Sequence, residues 1–363
     1  MARERVLAAM SGGVDSSVAA LLMLRQGHDV VGMTAELFGD ASAAGPCCGR
    51  EGSSAAAAAC AHLCIPHHQV DVTARFEGQV IERFVGEYRS GRTPNPCSDC
   101  NRYIKFDAFF EFAREQGCTA VATGHYARLV DGQPPRLACA VDHSKDQSYF
   151  LACIAPERLA SVRFPLGRLT KTEVRAIAEA ASLPNATRAD SMEVCFMDNG
   201  AGIAALLAWH IGEAPSAGQI VDEQGHVLGT HPGIEHFTVG QRKGLGLGGG
   251  SEGLVVHRLD PAARAVVVAP REAHPVAALL LTEFTDMTPC LWHYGDEVLA
   301  RGRYRQPLWP ARVLQESSSG GDRRVRVEPA EELFGMAPGQ RCVAYKGDFV
   351  LFGGTIDAVE YRR

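Results

Sequence analysis

The stretch Arg5–Leu37, RVLAAMSGGVDSSVAALLMLRQGHDVVGMTAEL, restricts the fold more than any other part of the chain. A short apolar run meets a Gly-Gly turn. A segment with helical spacing follows, and a second apolar run begins after Gly27, a residue suited to a helix C-cap. Strand, helix and strand in that order make a βαβ unit, which requires a parallel sheet with helices on its faces. GCTAVATGHYARL reads as another apolar strand, ending at Gly124-His125. TKTEVRAIAEAASL reads as a helix with Thr170 at its N-cap and Glu173 closing a capping box. After about Ala208 turn residues dominate, and from roughly Ala277 short strands alternate to the end, as in a small barrel or sandwich. The expected architecture is α/β: a parallel-sheet, Rossmann-like domain over 1–207, a small central domain over 208–275 and a C-terminal β-barrel over 276–363.

With 363 residues the chain exceeds one ordinary core, so two or three domains are expected. The N-terminus reads as a strand and not as a signal peptide, and no apolar run approaches the length of a bilayer span, so no membrane is expected. A net charge of -6 argues against general coating of nucleic acid and leaves room for a local basic face. Twelve cysteines without an export signal point to a reducing compartment, the cytoplasm, where thiols are buried, catalytic or metal-bound. Packing is the expected role of Cys118, Cys139, Cys153, Cys290 and Cys342.

MSGGVDSS, Met10 to Ser17, joins the first strand to its helix. Its glycines let the backbone approach an anion, with amide N–H groups and the helix dipole directed at it. Ser11, Ser16 and Ser17 offer hydroxyls, and Asp15 is a candidate ligand for magnesium. The turn holds no lysine, so it is not a Walker loop. It resembles the SGGxDS turn of the PP-loop ATP pyrophosphatases. GLGLGG, Gly244–Gly249, matches a dinucleotide fingerprint letter for letter, but a strand follows it where a helix is needed, and it is expected to be a loop.

NPCSDC puts Cys97 and Cys100 three apart, a spacing compatible with a zinc half-site, a redox pair or a sulfur-handling centre. Cys195, in RADSMEVCFMD, is a second place for a nucleophilic thiol. In GPCCGREGSSAAAAACAHLCIPHHQVD, Cys60 and Cys64 lie one helical turn apart behind Cys47 and Cys48. Small buried thiols are favoured there over a metal site completed by His67 or His68.

MSGGVDSSVAALL, NPCSDCNRYIKF, ATGHYAR, KDQSYFL, FPLGRLTKTEVR, DSMEVCFM, FTVGQRKGLG and APGQRCVAYKGD occur in the order found in the tRNA-specific 2-thiouridylase family, and together they run over nearly the whole chain. The chain is identified as a member of that family by the ordered set. The resemblance implies that ATP, with magnesium, binds at Ala9, Met10, Ser11, Gly12, Gly13, Val14, Asp15 and Ser16, with Ala35 a further cofactor-binding position and Gly124 near the nucleoside. It implies a tRNA substrate whose wobble uridine is adenylated on its C2 oxygen. Sulfur then arrives as a persulfide on Cys195, Cys100 assists, and a Cys100–Cys195 disulfide is left. The sulfur donor would be a cysteine desulfurase, a sulfur-relay protein or hydrosulfide. Cys97 stands where many members carry aspartate. Three thiolates, Cys97, Cys100 and Cys195, would also suit a 4Fe-4S iron-sulfur cluster with one open iron.

The resemblance further implies tRNA contacts at Asn95, Pro96, Cys97, His125, Lys145, Asp146, Gln147, Arg303, Tyr304 and Gln340. Arg301, Arg303 and Arg305 recur at period two, which would set them on one strand face as a phosphate-binding stripe, with Arg312, Arg323, Arg324 and Arg326 added to it. Arg242 and Lys243 are weaker candidates. Two other functions compete: a PP-loop ligase or amidotransferase acting on a small carboxylate or amide, and an inactive tRNA-binding paralogue. The ligase has no use for paired thiols or a basic β-rich tail. The paralogue would have lost Asp15, Cys100 or Cys195, and all three are present.

Overall fold

The computed structural model describes residues 3–38, 50–189, 216–248, 253–316 and 324–362. Cys47, Cys48, Cys195 and Arg323 lie outside the described residues. The chain forms two compact units: one takes Met1–Ile81, Pro96–Asn199 and Gly347–Val350, the other Glu82–Asn95, Gly200–Lys346 and Leu351–Arg363. Neither unit is a single run of sequence.

In the first unit, β1 (Arg5–Ala9), α1 (Val14–Arg25), β2 (Asp29–Glu36), α2 (Arg50–His62) and β3 (His67–Asp71) make two consecutive βαβ crossovers. The next elements are α3 (Thr73–Phe76) and, in the second unit, α4 (Glu82–Arg89). The first unit resumes with α5 (Pro96–Asp99), a wide π-helical run over Cys100–Ala108, α6 (Phe109–Glu115) and β4 (Ala120–Ala122). A hairpin of β5 (Ala127–Val130) and β6 (Arg136–Cys139) leads to α7 (Ser148–Leu151), β7 (Val162–Arg163) and α8 (Lys171–Ala180). The sheet order is β3-β2-β1-β4-β7, and every pair in it is parallel.

Strand alternation explains the layering. Val6 and Ala8 of β1, Val30 of β2, and Ala120 and Ala122 of β4 share a face. They pack with Ala20 and Met23 of α1 and Ala56, Ala59 and Cys60 of α2. Cys60 lies over Gly32 of β2, where a Cβ would come within 2.5 Å of its sulfur. Burial pushes its thiol up to about 11, so it is an inert packing group. Cys64 is exposed, and no metal-ligand cluster among the described residues includes Cys60, Cys64, His67 or His68.

Thr170 and Glu173 form the capping box at the start of α8. The Thr170 hydroxyl accepts from Glu173 N (3.3 Å), and the Glu173 carboxylate accepts from Thr170 N (2.7 Å). A cap of this type contributes about 1 kcal/mol, and here it also fixes where Lys171, the first helical residue, begins.

The second unit holds two β cores. β8 (Gly218–Val221), β9 (Val227–His231), β10 (Leu254–Asp260) and β11 (Ala265–Pro270) form a sheet of order β10-β11-β8-β9 around Ile220, Phe237, Val256 and Val266. β12 (Val276–Asp286), β13 (Glu297–Arg301), β14 (Trp309–Glu316), β15 (Arg324–Pro329), β16 (Arg341–Lys346) and β17 (Phe349–Tyr361) run in the order β12-β15-β14-β13-β16-β17. Pairing of β12 with β17 closes this sheet into a six-stranded barrel, which leaves no open edge. Trp292, Trp309, Leu279, Val313 and Phe352 fill it. Among the described residues, Gly244 and Gly246 adopt positive φ in an irregular stretch; Gly249 lies outside the described residues, and β10 follows from Leu254.

Candidate active site

The sheet reverses direction of winding between β1 and β4, and ligands of open α/β sheets bind beyond the carboxyl ends of the strands at such a point. The MSGG turn emerges there. Met10 N donates to Met33 O (2.7 Å), and the Thr34 hydroxyl donates to Met10 O (2.9 Å), so β2 fixes the exit from β1. Gly12 has φ +77°, and a Cβ on it would collide with the Gly52 carbonyl of α2. Ser16 and Ser17 both direct their hydroxyls to Gly13 O (3.0 and 3.2 Å). The first four N–H groups of any helix lack intrahelical partners, so α1 presents a donor-rich end at this turn.

Asn185 lies 173 residues from Gly12 in sequence and was not found by sequence reasoning. Its Nδ2 donates to Gly12 O (2.9 Å), Gly13 O (3.2 Å) and the Ser17 hydroxyl (2.9 Å), while Arg188 donates to Gly12 O (3.4 Å). With the turn's carbonyls engaged on this side, its amides are held for an anion on the other.

Lys171 supplies the cation that the turn itself lacks. Its Nζ meets both oxygens of Asp15, at 2.7 and 2.8 Å, and the Tyr126 hydroxyl donates to Asp15 Oδ1 (2.8 Å). The two charged side chains keep 13% and 33% exposure, so this is a partly screened pair worth on the order of 1 kcal/mol, and its value is positional. The capping box at Thr170 was legible in the sequence; that it aims Lys171 at the phosphate turn was not.

Gly124, two residues past β4, meets the same turn from the other side. A Cβ there would lie 2.8 Å from Asp15 C and Ser16 N, so the peptide of α1's first turn rests on bare backbone. Ala35 sits near the end of β2, half-buried and paired with Val70. His125 is buried between Phe106 and Phe164, each with ring centroids 6.2 Å away, and bonded to the Thr123 hydroxyl (2.8 Å). Burial first, and Lys105 second, hold its pKa well below the ordinary histidine range, so it is neutral. Its ring faces the interior of the unit.

The cysteine motif is tied to this turn through KDQSYF. Tyr126 N donates to Gln147 Oε1 (3.0 Å), and Gln147 N donates to Tyr126 O (2.8 Å). Gln147 O caps Phe150 N (3.0 Å), and Phe150 O accepts from Asn101 Nδ2 (3.1 Å), beside Cys100. The Cys153 thiol donates to Ser98 O (3.2 Å), inside α5. Asp146 is buried and accepts from Ala140 N (2.9 Å), Ser148 N (3.3 Å) and the Ser148 hydroxyl (2.8 Å), which shapes the loop carrying Lys145. Cys97 and Cys100 are three apart on one helical face, the first half-buried and the second buried.

Cys139 and Cys342 are buried as expected, with Cys342 pushed up to about 12 by burial, whereas Cys290 is exposed and Cys118 only half-buried.

In the second unit the arginine stripe does not form. β13 ends at Arg301, and the chain turns as Gly302 N donates to Gln306 Oε1 (2.9 Å). Arg303 then donates to Val239 O (2.9 Å) and to Gly335 O. Arg301 donates to Tyr304 O (3.2 Å), and Arg326 is engaged by Glu328 (2.7 Å) and Glu360 (2.8 Å). Gln340 Nε2 donates to Thr93 O (3.1 Å) and Pro94 O (3.4 Å), next to Asn95, while Thr93 N donates to Pro338 O (2.8 Å). The motifs TPN, TVGQ, RYRQ and APGQ thus converge on one network, with Arg303 and Gln340 as its fasteners.

A parallel-sheet domain whose glycine-rich turn is linked through Tyr126, Gln147 and Phe150 to a two-cysteine helix, followed by two β cores, is the class of protein that this arrangement defines. Family models match three segments: a tRNA methyl transferase HUP domain over residues 4–199, a tRNA methyl transferase PRC-barrel domain over 205–270 and an aminomethyltransferase beta-barrel domain over 288–356. The tRNA-specific 2-thiouridylase MnmA of Methylobacterium radiotolerans is 43% identical over 98% of this chain and 94% of its own. That of a Synechococcus species is 41% identical over 98% and 95%, and that of Acidithiobacillus ferrooxidans 41% over 99% and 100%. The chain belongs to the tRNA-specific 2-thiouridylase family.

Two outcomes follow from this geometry. Gly124→Ala should weaken ATP binding at least tenfold in isothermal titration while leaving the circular dichroism spectrum intact, because its methyl group displaces the first turn of α1. The His125 ring should show no titration in nitrogen-15 NMR as pH falls through about 6.5. Since its folded pKa is depressed, the stability it contributes is present above the unfolded value and is lost as pH falls below it.

Proposed function

We propose that the protein is an ATP-dependent sulfurtransferase that converts the C2 oxygen of the tRNA wobble uridine to sulfur. The observation that carries this is the hydrogen-bonded path from Asp15 of the phosphate turn, through Tyr126, Gln147 and α7, to Asn101 beside Cys100. Such a path holds an anion-binding end and a thiol-bearing helix in one rigid piece, as two-step activation and transfer requires. A PP-loop ligase needs only the first half of it. The family models speak of methyl transfer, but a paired-cysteine helix is suited to sulfur chemistry.

The α1 amides and Lys171 would hold the ATP phosphates. Among the described residues Asp15 Oδ2 meets Lys171 alone while Oδ1 meets both Lys171 and Tyr126, so Oδ2 would be the oxygen offered to magnesium. The ion would neutralise the leaving diphosphate. Attack of the uridine O2 on the α-phosphate forms the O2–P bond and releases diphosphate, which makes that oxygen a leaving group. The terminal sulfur of a Cys195 persulfide adds to C2. Cys100 then attacks the inner sulfur, the Cys195 S–S bond breaks with its electrons moving to the transferred atom, and AMP departs with the former O2. A Cys100–Cys195 disulfide remains, and reduction by a thiol reductant resets it. Reduced thiols fit a cytoplasmic setting. Asn95, Pro96, Cys97, Lys145, Tyr304, Arg303 and Gln340 are proposed to position the tRNA, the last two by holding segments that touch it.

Cys97, one turn before Cys100, favours a second reading, in which Cys97, Cys100 and Cys195 hold an iron-sulfur cluster that would supply sulfur from hydrosulfide. Iron analysis after anaerobic purification separates the two.

Nucleoside mass spectrometry of tRNA incubated with the protein, ATP, magnesium and reductant should give 2-thiouridine from a persulfide donor on the first reading, or from hydrosulfide on the cluster reading, with AMP and diphosphate formed in equal amounts. Cys100→Ser and Cys195→Ser should each lower the product more than 100-fold with ATP binding unchanged. Wild-type protein that makes no 2-thiouridine with either sulfur source contradicts the proposal.

A further inference from the structure

Three metal-ligating side chains meet away from the phosphate turn, in the second unit. Glu223 stands at the tip of the β8–β9 hairpin, where Asp222 accepts from Gln224 N (2.9 Å) and His226 N (2.8 Å) and sets the turn. His257 is the residue at which the β10–β11 register shifts, a bulge that re-aims its side chain out of the strand's alternation. His274 lies in the turn after β11, which Ala273 N closes on Pro270 O (3.0 Å) and Arg362 N pins at Pro275 O (2.8 Å). One donor atom from each of the three residues lies within 4.8 Å of the other two.

The group is not satisfied by its own hydrogen bonds. His274 Nε2 approaches Glu223 Oε1 to 2.6 Å, yet the atom is buried and makes no hydrogen bond. The His257 and His274 rings stack with centroids 4.1 Å apart, and Tyr361 covers both, at 5.0 and 5.6 Å. Two imidazoles face to face beside a carboxylate gain little from one another, whereas a cation among them would engage all three.

We propose that Glu223, His257 and His274 form a binding site for one divalent transition-metal ion, zinc being the ion best suited to the donors. Two imidazole nitrogens and one carboxylate oxygen are a borderline donor set that takes zinc, cobalt or nickel ahead of magnesium or calcium. Ligand bonds of about 2.0–2.2 Å would draw the three donors closer than their present mutual spacing of up to 4.8 Å. With three protein donors, the fourth position would be left to water. An ion there would cross-link the β8–β9 hairpin, the β10 bulge and the segment that enters β12.

Equilibrium dialysis of the reduced full-length protein against cobalt(II), with metal counted by mass spectrometry, tests the site. His257→Gln and Glu223→Gln should each bind one equivalent fewer than wild type, and Cys97→Ser should keep that equivalent. Zinc should raise the melting temperature of wild type and leave that of Glu223→Gln, a hairpin-tip change that does not threaten folding, unmoved. Equal metal content in wild type and Glu223→Gln, or loss of the equivalent in Cys97→Ser instead, overturns the proposal.

Discussion

The candidate site depends on four residues that follow β4, Thr123 to Tyr126. Gly124 accepts the backbone of Asp15 and Ser16 at a distance that excludes any side chain. Tyr126 spends its hydroxyl on Asp15 and its backbone on Gln147. His125, kept neutral by burial, fills the space under them with Phe106 and Phe164. One short stretch therefore touches the phosphate turn, the KDQSYF loop and the π-helical run that carries Cys100. Loss of its geometry would detach the glycine-rich turn from the helix that carries Cys97 and Cys100.

Much of the frame was legible because it rests on local rules. The βαβ start, the Gly-rich turn and the capping box each follow from a period or from a residue's own backbone preference. Lys171 and Asn185 escaped because their partners lie 156 and 173 residues away, and a single sequence carries no trace of such pairings. Asn185 looks like any turn residue in SLPNAT, and Lys171 like any exposed helix start.

The arginine stripe failed for a different reason. Period two places side chains on one face only while the strand lasts, and Gly302 with Gln306 ends β13 before Arg303 is reached. Arg303 is then taken up by carbonyls, which makes it a fastener of loops whose motifs lie far apart in sequence. The division into two units was likewise beyond period and composition, because α4 and the TPN segment belong with the β cores through contacts made across the whole chain.

The central claim is that the phosphate turn activates the uridine oxygen and the thiols replace it. Transfer RNA carrying oxygen-18 at C2 of the wobble uridine tests it most directly, by mass spectrometry of the nucleotides formed on turnover. The account predicts the heavy oxygen in the phosphate of AMP, one atom for each 2-thiouridine made. Thiolation with unlabelled AMP, the heavy atom released as water, would contradict it.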